Sequence, residues 1–192
     1  SGIPLMVETI ENMWLRCGPV LSFVIPEYVV LLKGWDHHTA ALKAIMAGDP
    51  DRARAAAQFN LGVLYETGQG VSQNYAEAVK WYHEAAESGE PQAQFNLGVF
   101  YEQGQVVPQN YEEAVRWYRA AAEQEIGPAQ CNLGLCYQTG RGVPQDMGEA
   151  VRWFIRAARQ GDKSAQHNLG VYYATLEEAA AVPEDEGAEE PQ

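Results

Sequence analysis

The sequence predicts an all-α protein, an α-α solenoid of stacked antiparallel helix pairs. Two observations carry this. A 36-residue segment recurs without insertion at 57–92, 93–128 and 129–164, and a partial fourth copy, 165–182, opens as AQHNLGVYYAT before the likeness ends. Within each copy two stretches of helical periodicity flank a glycine-bearing loop. A supersecondary unit repeated at fixed length buries its apolar side against its neighbours, which is how solenoids are built.

From the amino end, Met6, Ile10, Met13, Trp14 and Cys17 share one face of a short helix that Gly18-Pro19 ends. The segment from Glu27 to Lys33 is apolar nearly all round, and Asp36 caps a helix running through Ala47 to Gly48. A solenoid leaves an apolar face bare at each end, so residues 1–56 read as an atypical helical capping region. The alternative is a docking or membrane-surface element, but no basic flank for anionic lipid is present. Asp49-Pro50 begins a helix continuous with the first repeat helix.

The first helix of the first unit buries Ala57, Leu61 and Tyr65, and the second buries Ala78, Trp81, Tyr82 and Ala85. Gly68 suits the left-handed residue that closes a helix, and Asn74, with its counterparts Asn110 and Asp146, suits the next amino cap. Gly62 and Ala78 are small enough to let the two helices approach, and Val71, Val107 and Val143 plug each loop onto the core. In the fourth copy Leu176 replaces the turn glycine, so the helix is expected to run to about Val182 and stop before Pro183. The tail 183–192 is acidic and lacks aromatics, the composition of disorder.

Charge narrows the function. Acids number 26 against 13 bases, a net charge of −13, which argues against nucleic acid as a partner. No stretch reaches the roughly 18 apolar residues of a spanning helix. Three cysteines cannot form a fully paired disulfide framework, and Cys131 and Cys136 diverge around one helix. With no basic start and apolar stretch following Ser1-Gly2, these unpaired thiols lead us to expect the cytoplasm. The periplasm or the exterior is the alternative if a leader was removed.

The alanine, the Leu-Gly pair, the tyrosine, the Gly-x-Gly-Val loop, the Trp-Tyr pair and the double alanine recur from Ala57 to about Ala174. In these features the chain resembles the Sel-one-like repeat family, a relative of the tetratricopeptide repeats. The resemblance implies a right-handed superhelix that binds proteins and seldom catalyses. The second unit departs from the pattern at Val106 and at Glu125, where loop and closing glycines are missing, so its loop and helix end are expected to be distorted.

Asn60, Asn96, Asn132 and Asn168 hold one position in all four first helices, about 100° from the buried leucine. In the related tetratricopeptide repeats an asparagine at the matching position holds the backbone of an extended peptide. The competing reading is that each asparagine bonds the neighbouring helix. Phe59, Val63 and Glu66 face away from the buried leucine, as do Phe95, Val99 and Glu102. Cys131, Leu135 and Gln138 follow, then His167 and Val171. Together they predict a partner-binding groove, apolar at its base and acidic at one end, although packing between first helices consumes part of that surface. Arg152, Arg156 and Arg159 form an outward basic stripe, a solvated face or a seat for the acidic tail.

Catalytic signals are weak. His37-His38 beside Asp36 diverge by about 100° on a helix, His83 occupies a variable slot, and His167 replaces a phenylalanine and is expected to pack. No nucleophile elbow, Walker loop or His-Glu-x-x-His is present. We therefore expect no catalysis, metal or cofactor. The leading reading is a scaffold or adaptor that binds a protein or peptide on its concave face. The alternatives are an inhibitor or immunity-type protein that occludes an enzyme, and a subunit that self-assembles through its terminal segments.

Overall fold

A computed structural model describes residues 48–181. The expected capping helices before Gly48 and the acidic tail lie outside the described residues. These contain seven α-helices and no strand: α1 (Pro50–Thr67), α2 (Tyr75–Glu87), α3 (Pro91–Gln103), α4 (Tyr111–Glu123), α5 (Gly127–Thr139), α6 (Met147–Arg159) and α7 (Lys163–Ala181). Each helix packs on the next in chain order, the arrangement of a solenoid.

Local chemistry sets the helix ends. Asp49 Oδ1 accepts from the Arg52 N–H at 3.0 Å and Pro50 opens α1. Asn74 and Asn110 each accept two first-turn N–H groups, and Asp146 accepts the Glu149 N–H, so all three predicted caps form. Gly68, Gly104 and Gly140 close α1, α3 and α5 in the left-handed conformation. The connecting loops are pinned by Gln73, Gln109 and Gln145, whose Nε2 groups donate at 2.8 Å to the carbonyls of Glu66, Glu102 and Gln138. With leucine at position 176, α7 continues to Ala181.

Each helix pair closes around one contact. A Cβ at Gly62 or Gly134 would lie 2.6 Å from the ring of Tyr82 or Phe154, and one at Gly98 would overlap the Tyr118 ring in the same way. The glycines thus let an aromatic ring lie against the helix backbone. Ala78, Ala114 and Ala150 are fully buried beside these rings. The tryptophans lean back on the preceding unit. Trp117 packs with Ala85, Ala86 and Leu97, and Trp153 packs on the cluster of Ala114 and Val115.

The helix end at Glu125 is not distorted. Glu125 takes φ 63, matching Gly89 at φ 90 and Gly161 at φ 87. The Ile126 N–H donates to the Ala121 carbonyl at 3.2 Å, as the Glu90 N–H does to Ala85 at 2.9 Å. A left-handed non-glycine residue costs about 1 kcal/mol. Here the Glu125 carboxylate offsets that cost by accepting from Arg156 at 2.5 Å and from Gln130 and Gln160 at 3.1 Å each.

Gly98→Ala should lower stability by about 1–3 kcal/mol, because its Cβ overpacks against Tyr118. Gly170 on α7 has nothing within 4 Å of the added atom. Gly170→Ala should therefore raise the stability of the monomer by up to about 1 kcal/mol through helix propensity. Urea unfolding midpoints of the two variants, moving in opposite directions, check this.

Candidate partner-binding groove

Units one and two enclose an open groove of about 610 Å³. Its walls come from the end of α1 (Glu66), the start of α2 (Tyr75), the α3 residues Phe95, Asn96, Val99, Phe100 and Gln103, and the loop residues Gln105 and Val106. Four residues predicted from the sequence, Glu66, Phe95, Asn96 and Val99, thus meet in one place. Tyr75, Phe100, Gln103, Gln105 and Val106 were not predicted as lining. Val106 had a visible signal, since it stands where the other units have Gly70 and Gly142.

That substitution accounts for the opening. Gly70 and Gly142 have positive φ, whereas Val106 does not. Any side chain at Gly142 would run into the carbonyl of Tyr111, so the third unit's loop lies directly on the start of α4. Valine cannot make that approach. Val106 instead packs on the core of the first two units, and the space beside Tyr75 stays open.

Glu66 and Asn96, which line the groove, also belong to a polar relay. The Tyr82 hydroxyl donates to Glu66 Oε2, and the Tyr118 hydroxyl donates to Glu102 Oε2 at 2.6 Å. The side chains of Asn96 and Asn132 hydrogen-bond the same two phenol oxygens from the following unit. Burial, reinforced by the neighbouring carboxylate, holds both phenols well above their ordinary pKa of 10.0. In the third unit Phe154 and Gln138 replace the tyrosine and the glutamate together. Two members of the asparagine ladder therefore bridge units. Asn60 is buried at 2% exposure, and Asn168 is half-buried on α7.

The remaining predicted residues do not join the groove. Phe59 is half-buried and tilts on Tyr82 with ring centroids 5.6 Å apart, and Val63 packs against the same core. Cys131 is buried at 3% exposure, which removes it from any surface. Burial pushes its thiol up to about 12 and that of Cys136 to about 11, so both are unreactive at neutral pH. Leu135 is exposed and Gln138 half-buried. His167 does not pack as expected. It is exposed, as is Val171, because no helix follows α7 among the described residues. Arg152 pairs with Glu149, Arg156 pairs with Glu125 while lying 4.6 Å over the Trp153 ring, and Arg159 makes no ion pair among the described residues.

A glutamine ladder escaped the sequence reading. Gln94 donates to the Ala86 carbonyl at 3.2 Å and accepts from Gln124 at 2.8 Å. Gln130 donates to Ala122 at 3.0 Å and accepts from Gln160 at 2.9 Å. The Ala-Gln pair that opens every unit was its signal.

Residues 55–90, 91–125, 127–162 and 163–186 match the Sel1 repeat. The chain belongs to the Sel1 repeat family. Such repeats typically form non-catalytic scaffolds that mediate protein–protein interaction. The fold is similar to a Sel1 repeat protein from Oxalobacter formigenes, with a TM-score of 0.61, 36% identity, and coverage of 73% of this chain and 60% of that one. It is also similar to a protective antigen with an SLR fold from uropathogenic Escherichia coli, with a TM-score of 0.64, 34% identity, and coverage of 86% and 36%. A third similar structure is Helicobacter pylori cysteine rich protein B, with a TM-score of 0.52, 25% identity, and coverage of 70% and 98%. The chain thus covers less than two thirds of the length of the first two. No curated protein matches it. Among the described residues of this Sel1 repeat protein, no helix is long and apolar enough to cross a membrane.

Tyr118→Phe should destabilise the protein by about 1–2 kcal/mol, because it strips Glu102 of a donor and Asn132 of an acceptor. Adding Glu102→Gln should recover part of the loss, since the third unit uses that combination. A double-mutant cycle on urea unfolding measures the coupling.

Hydrogen bonding from Arg156 and then Gln130 holds the Glu125 carboxyl below its ordinary 4.5. A depressed carboxyl stabilises the fold above its unfolded pKa, and that contribution disappears as pH falls through the folded value. Arg156→Gln should therefore raise the Glu125 pKa toward 4.5. It should also flatten the acid limb of stability. Side-chain NMR titration and acid unfolding read the two effects.

Proposed function

We propose that this chain is a non-enzymatic interaction module whose groove at Val106 receives an extended, basic and apolar segment of a protein partner. The observation that carries the reading is the open space between the first two units, beside the loop that carries Val106. Phe95, Val99, Phe100 and Val106 give it apolar walls. The side-chain amides of Gln103 and Gln105 can donate to and accept from a peptide backbone. Glu66 at one end, in a protein of net charge −13, favours a lysine or arginine there. An extended peptide satisfies its own backbone groups only through such partners, which suits this lining better than a purely apolar cleft would.

Selecting random peptides on the full chain should enrich sequences that combine basic with aliphatic or aromatic residues. Val106→Gly should let the loop settle toward Tyr75, as Gly142 does toward Tyr111, and weaken a selected peptide about tenfold or more. Leu135→Ser, on the face of α5, should leave affinity unchanged. Raising salt should weaken the wild-type complex. Peptides with no basic bias, or affinities indifferent to Val106→Gly, would refute the reading.

A further inference from the structure

Among the described residues, no second helix covers the face of α7 that corresponds to the closed face of the complete units. In the three complete units, the face centred on Gly62, Gly98 or Gly134 receives an aromatic ring from the antiparallel second helix. On α7 the equivalent residue, Gly170, has nothing within 4 Å of an added Cβ. Tyr173, within about 60° of Gly170 around the helix, is 49% exposed, and Val171 on one flank is 50% exposed. The flank of α7 that carries Ala165 and Leu169 is engaged, with Ala165 buried and Leu169 packed on Phe154 and Ala157.

Charge identifies the occupant. Lys163, Gly170 and Glu177 are spaced by two heptads and lie within about 40° of one another around the helix. All three are exposed. If a second α7 crosses antiparallel with a two-fold axis beside Gly170, each Lys163 faces Glu177 of the other copy, and each His167 faces the other Tyr173. Glycine at the crossing allows close approach, as it does in every complete unit. The acidic tail is a poor alternative occupant, because it carries no aromatic and would meet Glu177 and Glu178 with like charge.

We propose that the chain forms a two-fold dimer in which the α7 helices of two copies pack against each other across Gly170. One helix per copy falls short of the roughly 1,600 Å² of a standard interface, so the dimer is dissociable. This proposal is independent of the peptide groove, which lies at the other end of the described solenoid.

Sedimentation equilibrium of the full chain over roughly 1 µM to 1 mM should show a monomer–dimer exchange that weakens with salt. Lys163→Glu and Glu177→Lys should each raise the dissociation constant about tenfold. The double variant should restore it, and an equimolar mixture of the two single variants should form a heterodimer. Restoration also shows that the single variants fold. Under mild oxidation Gly170→Cys should cross-link two copies, whereas Lys163→Cys, two turns from the axis, should not. A strict monomer across the range would overturn the proposal. So would a dimer indifferent to Lys163→Glu, cross-linking through Lys163→Cys, or a dimer lost only on substitutions within residues 1–47.

Discussion

The spacing within each helix pair depends on an aromatic ring lying against a glycine. Gly62 under Tyr82, Gly98 under Tyr118 and Gly134 under Phe154 leave no room for a methyl group. The contact sets how near the two helices come, and so where the alanines at 78, 114 and 150 become fully buried. It also fixes the phenol oxygens of Tyr82 and Tyr118 at the outer edge of the pair. There a carboxylate from the same unit and an asparagine from the next converge on them. One apolar contact thereby positions the polar link between units.

Polar groups fix the register of the stack. Gln94 and Gln130 are almost fully buried, yet each ties the end of the preceding pair to a glutamine one unit further on. A shift of one unit against the next would leave these amides buried without partners, at a cost of about 1–3 kcal/mol for each group. Glu125 belongs to the same system. The carboxylate that its left-handed backbone presents joins Gln130, Arg156 and Gln160, so the residue that breaks the glycine pattern adds a link between the second and third units.

The sequence revealed whatever depends on neighbours along the chain. The 36-residue period, the caps at Asn74, Asn110 and Asp146, the left-handed Gly68 and the continuation of α7 all follow from local pattern. What it hid depends on the next unit. Gln94 recurs at the start of every unit, but its burial shows only in the stack, because a helix face that is exposed in an isolated pair becomes covered when another pair packs on it. Cys131 and Leu135 hold groove positions by register, but one is buried and the other exposed. His167 shows the reverse, occupying a packing position that nothing among the described residues covers.

In a repeated structure the exceptions carry the individuality, and two of them differ in kind. At Val106 a single residue changed, the loop lost a conformation, and a cavity resulted. At Phe154 and Gln138 two residues changed together, and no ionised group was stranded. The difference follows from burial. A surface loop that loses its glycine can move outward, and only space is gained. A half-buried phenol–carboxylate pair that loses one member leaves the other short of a partner, which is more costly than losing both. Paired replacement is therefore the expected course for the relay, and single replacement for the loop, so new binding surface in this architecture arises most readily at the connections between first and second helices.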